Sequence, residues 1–102
     1  MQPQELVKRI KSGQAPIVFD VRSGFEYRNG HIPDALHAPT LKILLHQVRL
    51  PPDKNTEVVL TCEHGPRAQL AKVVLGFIGY RNVSLLEGHM AAWRQAVRLL
   101  AK

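Results

Sequence analysis

Two short runs without a polar residue, Ile17-Val18-Phe19 and Val58-Val59-Leu60, constrain this chain more than any other feature. Neither alternates as a half-solvated strand would, so other parts of the chain must cover both faces of each. Around them the apolar spacing is helical. Pro3 to Gly13 reads as a short helix with Leu6, Val7 and Ile10 on one side and Gly13 as its stop. Ser23 followed by Glu26 matches a capping box for a one-turn helix ending at Asn29-Gly30. Leu36-His37-Ala38 suits a brief strand, and Thr40 is expected to cap a helix through Leu41, Leu44, Leu45 and Val48 that Pro51-Pro52 ends. From Arg67 to Ile78 the positions Leu70, Val73, Val74, Phe77 and Ile78 recur at helical spacing and are taken as the buried face, with Gly79 closing the helix. Val83 to Leu86 is a further strand, and His89 to Leu100 a last helix with Trp93, Val97 and Leu100 on its inner side. Strands and helices alternate throughout, which predicts an α/β fold built on a parallel sheet with helices on both faces.

At 102 residues, with no repeat or low-complexity linker, residues 1–102 are expected to form a single domain. One cysteine excludes an internal disulfide and any zinc site needing two thiolates from this chain. No apolar run approaches the ~20 residues of a membrane span. Glu5 and its charged neighbours occupy the place of a signal-peptide core, so the expected compartment is the cytoplasm. Fourteen bases against 8 acids leave a net charge of +6. The bases are scattered, which argues against nucleic acid and favours either a solvated surface or an acidic protein partner. Arg94, Arg98 and Lys102, spaced by four, are expected to form one exposed row on the last helix.

The lone cysteine stands where chemistry collects in such folds. Ligands bind outside the carboxyl ends of parallel strands, and Cys62 directly follows the Val58–Thr61 run, with a helix starting about five residues later. Unsatisfied N–H groups at a helix start, and the positive end of its dipole, favour an anion on that sulfur. Gly65 lets the backbone turn, and Arg67 adds a planar cationic fork. A lone cysteine is commonly just a small buried apolar residue. Here it heads a polar, glycine-containing turn instead of lying within an apolar run.

Three stretches, in this order, carry a resemblance: Asp20-Val21-Arg22 with Glu26-Tyr27 and Gly30-His31-Ile32-Pro33; Cys62-x-x-Gly65-x-Arg67; and Gly88 ahead of Ala92-Trp93. Over about Pro3 to Ala96 the chain resembles a single-domain member of the rhodanese family of sulfurtransferases. The resemblance implies a central, mainly parallel five-stranded sheet with helices on both faces. It also implies a persulfide mechanism without cofactor or metal. Cys62 would take the outer sulfur of thiosulfate or another sulfane donor and pass it to cyanide, a thiol or a protein. Glu63, His64, Gly65, Pro66 and Arg67 would ring the bound sulfur, and Arg67 would help hold loop and anion. The implied partners are a small anionic donor and a thiol or protein acceptor, an acidic one being a candidate; neither nucleic acid nor membrane is expected, and the chain would be a monomer or weak dimer. A protein-to-protein sulfur relay module and a non-catalytic domain that keeps the fold are the alternatives.

Departures from the family pattern locate the open questions. Glu63 puts a negative charge beside the nucleophile, expected to weaken a dianionic donor by about 1 kcal/mol. His89 replaces a second glycine after Gly88, Asp34 a glycine after Pro33, and His37 an asparagine. Phosphatases with a cysteine–arginine signature use a longer loop than the four residues Glu63 to Pro66 found here, so phosphoryl chemistry is not expected. His64 reads as a solvent-facing loop residue, with general base as the sharper alternative. Asp20, Arg22 and Glu26 either support Cys62 from the neighbouring turn or act structurally, Arg22 pairing with Glu26 and Asp20 fixing the backbone. Trp93 is assigned to the core.

Overall fold

A computed structural model describes residues 1–102. The elements run α1 (Pro3–Lys11), β1 (Ile17–Asp20), α2 (Gly24–Arg28), β2 (Leu36–His37), α3 (Thr40–Leu44), β3 (Val58–Thr61), α4 (Pro66–Ile78), β4 (Val83–Leu85) and α5 (His89–Ala96). All strands are parallel, in the order β2-β1-β3-β4. The sheet therefore has four strands where five were expected. Outside it, His31 makes only an isolated antiparallel bridge to Ala101. Pro33, two residues on, has no N–H with which to extend a ladder.

The apolar runs divide their side chains between two cores, as strand geometry requires. Phe19, Val58 and Leu60 point to one face, where they meet Ile43 of α3 and Ala68, Ala71 and Leu75 of α4. Val18 and Val59 point to the other, against Leu6 of α1 and Met90 and Trp93 of α5. Trp93 is fully buried, and its Nε1–H donates to the Leu99 carbonyl at 2.6 Å. No helix is long and apolar enough to cross a membrane.

The buried face of α4 is only partly the one expected: Val74 and Ile78 pack against the core, half-buried. Leu70, Val73 and Phe77 are exposed, Phe77 to 93%, while Ala68, Ala71 and Leu75 face the sheet. Both sets have the same three-and-four spacing, so periodicity could not choose between them. Small residues let the helix axis approach the sheet closely, and that selects the alanine face. Leu75→Ala should accordingly cost about 2–5 kcal/mol and Leu70→Ala no more than about 0.5 kcal/mol in urea denaturation; equal losses would reverse the assignment of faces.

Two helix ends also differ. Thr40 is the first residue of α3 and not its cap, since Pro39 holds that place; its Oγ1–H instead reaches the Arg67 carbonyl at 3.4 Å. Leu41, Leu44 and Leu45 of this segment are exposed, and Ile43 is the residue that packs inward. The last helix stops at Ala96. Arg98 takes a left-handed φ of 60°, and the chain folds back so that Ala101 pairs with His31. The basic row Arg94, Arg98, Lys102 therefore does not exist: only Arg94 lies on α5.

Candidate active site

The chain visits β1 and β2, then returns to place β3 on the other side of β1. At that switch point the carboxyl ends of β1 and β3 open a crevice. Asp20 and Thr61 are register partners at these ends, and Val21 N–H donates to the Thr61 carbonyl at 3.0 Å. The segments that follow, Val21-Arg22-Ser23 and Cys62-Glu63-His64, thus start side by side.

Cys62 is buried, and the Gly65 N–H donates to its Sγ at 2.9 Å. The turn this needs holds Gly65 at φ 130°, ψ −40°, a conformation reached at little cost only without a Cβ. Gly65 is also the N-cap of α4, and Pro66 the first helical residue, where a missing N–H costs nothing. The sulfur consequently lies at the positive end of a 13-residue helix.

The sequence reading missed one partner of this loop. His89 is buried, and its Nδ1 accepts the Cys62 N–H at 3.2 Å. That acceptor role places the ring proton on Nε2. The next two amides of α5, Met90 and Ala91, donate to the carbonyls of Cys62 and Glu63 at 3.0 and 3.3 Å. The first turn of α5 therefore uses its orphan donors on the loop. His89 holds a left-handed φ of 53°, a conformation that glycine adopts with less strain. The departure noted at His89 was the available signal; its contact with a residue 27 positions away was not legible.

Charges around the loop pair differently from the expectation. Arg22 does not meet Glu26. Its Nε lies 2.9 Å and its Nη2 2.7 Å from the two carboxylate oxygens of the fully buried Asp20, and Nη2 also donates to the Gly30 carbonyl at 2.8 Å. Asp20 further accepts the Arg22 backbone N–H, so it does fix the chain after β1. His37 adds a bond from Nε2 to the Arg22 carbonyl at 2.7 Å. Glu26 completes the capping box of α2 with Ser23 and also takes the Arg67 guanidinium in a two-pronged pair, at 2.7 and 3.0 Å. Arg67 thereby ties α4 to α2, with its fork turned to Glu26. Glu63 is not an uncompensated charge: Arg94 binds it directly, and Arg22 Nη1 lies 3.5 Å away. His64 is exposed, as expected of a loop residue. No three His, Cys, Asp or Glu side chains converge anywhere in the chain.

These contacts make stability depend on pH in two steps. Burial, with a smaller effect from His64, holds His89 below the usual 6.5. Between that lowered value and 6.5 the unfolded chain binds more protons than the folded one, so stability falls as pH drops below 6.5. Arg67 and the Ser23 cap lower Glu26 from 4.5 to about 2. Its contribution is intact above 4.5 and is lost as pH falls from there toward 2. Urea midpoints measured against pH should show both declines, with His89→Gln removing the first and Glu26→Gln the second. A wild-type curve flat between pH 7 and 5 would contradict the His89 assignment.

Comparison with known proteins agrees with this architecture. The Rhodanese-like domain family profile matches residues 2–96. The adenylyltransferase and sulfurtransferase uba4 of Ogataea parapolymorpha is 31% identical over 91 residues, 89% of this chain but 23% of that protein. A sulfurtransferase of Allochromatium vinosum is 32% identical over 88% of this chain and 82% of its own length. Among solved structures, the human single-domain sulfurtransferase TSTD1 superposes with a TM-score of 0.81 at 26% identity, covering 94% of this chain and 95% of that one. The chain thus spans less than a quarter of the first relative and most of the other two.

Proposed function

This chain belongs to the rhodanese-like domain family, and on that footing we propose that Cys62 carries sulfur as a persulfide, taken from thiosulfate or another sulfane donor and handed to a thiol or protein acceptor. The observation that carries the proposal is the Gly65 N–H donating to Cys62 Sγ at the start of α4. An amide aimed at sulfur, with a helix N-terminus behind it, stabilises the thiolate on that atom, and the positive end of the helix also favours the anionic outer sulfur of the persulfide.

The chemistry balances without a cofactor. The Cys62 thiolate attacks the outer sulfur of thiosulfate, the sulfur–sulfur bond of the donor breaks, and sulfite leaves with the electron pair. The enzyme then holds Cys62–S–S⁻. Attack by cyanide or an acceptor thiolate on the terminal sulfur restores the thiolate and releases thiocyanate or the acceptor persulfide. Dividing the transfer in two is the advantage of a covalent carrier. Glu63, being neutralised by Arg94 and Arg22, opposes a dianionic donor less than its charge alone implies. Glu63, His64, Gly65, Pro66 and Arg67 ring the sulfur in this reading, while Asp20, Arg22 and Glu26 keep the ring in shape.

Intact mass after incubation with thiosulfate tests the proposal. Wild type should gain one sulfur atom that cyanide removes, and Cys62→Ser should gain none. Absence of the gain with both thiosulfate and a persulfidated protein as donor would leave only a non-catalytic role for the fold.

A further inference from the structure

The outer face of α4 is the largest feature that sulfur chemistry leaves unexplained. Leu70, Val73 and Phe77 recur at intervals of three and four, so they form one stripe, on the side of the helix away from Ala68, Ala71 and Leu75. The stripe starts one turn after the Cys62 loop. The adjoining segment around α3, tied to α4 through Thr40 and Arg67, leaves Leu41, Leu44 and Leu45 exposed as well. An exposed leucine alone is ordinary, but a stripe backed by a second exposed group marks a contact surface.

Charge indicates what covers it. Ala35 to Pro52 and His64 to Leu86 contain no Asp or Glu at all, and all 8 acids of the chain lie elsewhere. The same two segments carry Lys42, Arg49, Lys72 and Arg81, each exposed. Two copies of this chain joined through such faces would set cation against cation, which disfavours self-association there. Nucleic acid would need cations along the centre, where the leucines, valine and phenylalanine stand. An apolar centre on two segments whose own charged side chains are all basic, with the nearby Glu26 already taken by Arg67, fits an acidic protein presenting an apolar strip, since charge on the rim steers and orients while apolar contact holds.

We propose that the α3–α4 face, centred on Leu70, Val73 and Phe77, docks an acidic protein that exchanges sulfur with Cys62; the exchange, though not the docking, rests on the persulfide reading above. A partner seated on α4 lies next to Pro66 and therefore beside the loop that holds the sulfur.

The probe is a capped helical peptide of about 18 residues with leucine on one face and glutamate on the other. Its binding is followed by fluorescence anisotropy and by amide shifts of the protein. The shifts should concentrate in α3 and α4. Affinity should fall at least about tenfold in Leu70→Ser/Phe77→Ser and in Lys42→Glu/Lys72→Glu, and likewise between about 50 and 300 mM salt. Cys62→Ser should bind as wild type does. Both double variants should keep the wild-type melting temperature and should load sulfur from thiosulfate normally, because none of the four residues belongs to the loop. Binding that ignores the Leu70/Phe77 exchange, shifts mapping away from α3 and α4, or equal affinity for the lysine-for-glutamate peptide would overturn the proposal. So would concentration-dependent self-association of wild type that Leu70→Ser/Phe77→Ser abolishes, since the face would then belong to a second copy. Normal docking without any sulfur loading would instead remove the persulfide reading and leave the docking surface standing.

Discussion

Arg22→Ala should destabilise the protein by about 3–5 kcal/mol, because it strands a buried carboxylate. Asp20 has no solvent contact, and Arg22, 3% exposed, supplies its two side-chain donors. The same guanidinium holds the Gly30 carbonyl and stands beside Glu63. Truncation therefore leaves three acceptor groups short of a donor, two of them carboxylates, and of these Asp20 is fully buried at the sheet end. The loss comes from orphaning Asp20 more than from any net gain the pair provides. Asp20→Asn combined with Arg22→Met should then recover a substantial part of it, since a neutral amide is far cheaper to bury. Arg22→Lys should recover little, as a point charge cannot span two carboxylate oxygens and a carbonyl. Urea denaturation of the three variants against wild type measures each loss. A loss below about 1 kcal/mol for Arg22→Ala would mean that water reaches Asp20.

Gly65→Ala should slow sulfur loading by about 100-fold, by analogy with the loss of one fixed donor at a developing anion. Alanine at φ 130° is strained wherever its methyl points, and here the methyl would also lie 3.3 Å from His89 Nε2. Either relief moves the Gly65 amide off Cys62 Sγ. Adding His89→Gly makes room for the methyl but leaves the backbone strain, so the double variant should remain slow. The loading rate from thiosulfate, taken from intact mass against time, decides the matter. A double variant restored to the wild-type rate would assign the defect to crowding; a fast single variant would show that this amide does not hold the reacting sulfur.

Several features were readable from neighbours in the chain alone. Ser23 and Glu26 form their capping box because both partners lie within one turn. The two apolar runs became adjacent parallel strands, because a strand without a polar side has nowhere to go but a covered sheet. A fifth strand, inferred from family resemblance, is absent; the sheet has four strands, and His31 forms only an isolated bridge to Ala101. The charge pairs were misread for a different reason. Arg22 with Glu26 was the nearest candidate along the chain, yet folding sets Asp20 against Arg22, Arg67 against Glu26, and Arg94 against Glu63.

The order of strands and helices, and the placing of Cys62 between a buried strand and a helix start, are legible in the chain alone. Those follow from local periodicity and from turn residues a few positions apart. Long-range packing instead sets which face of α4 is inside, that α5 ends at Ala96, and that His89 accepts the Cys62 amide. Each of these depends on distances across the sheet. Alanine was chosen over leucine and phenylalanine by how closely a helix must approach its strands, and His89 reached Cys62 because two carboxyl-end loops converge at one switch point.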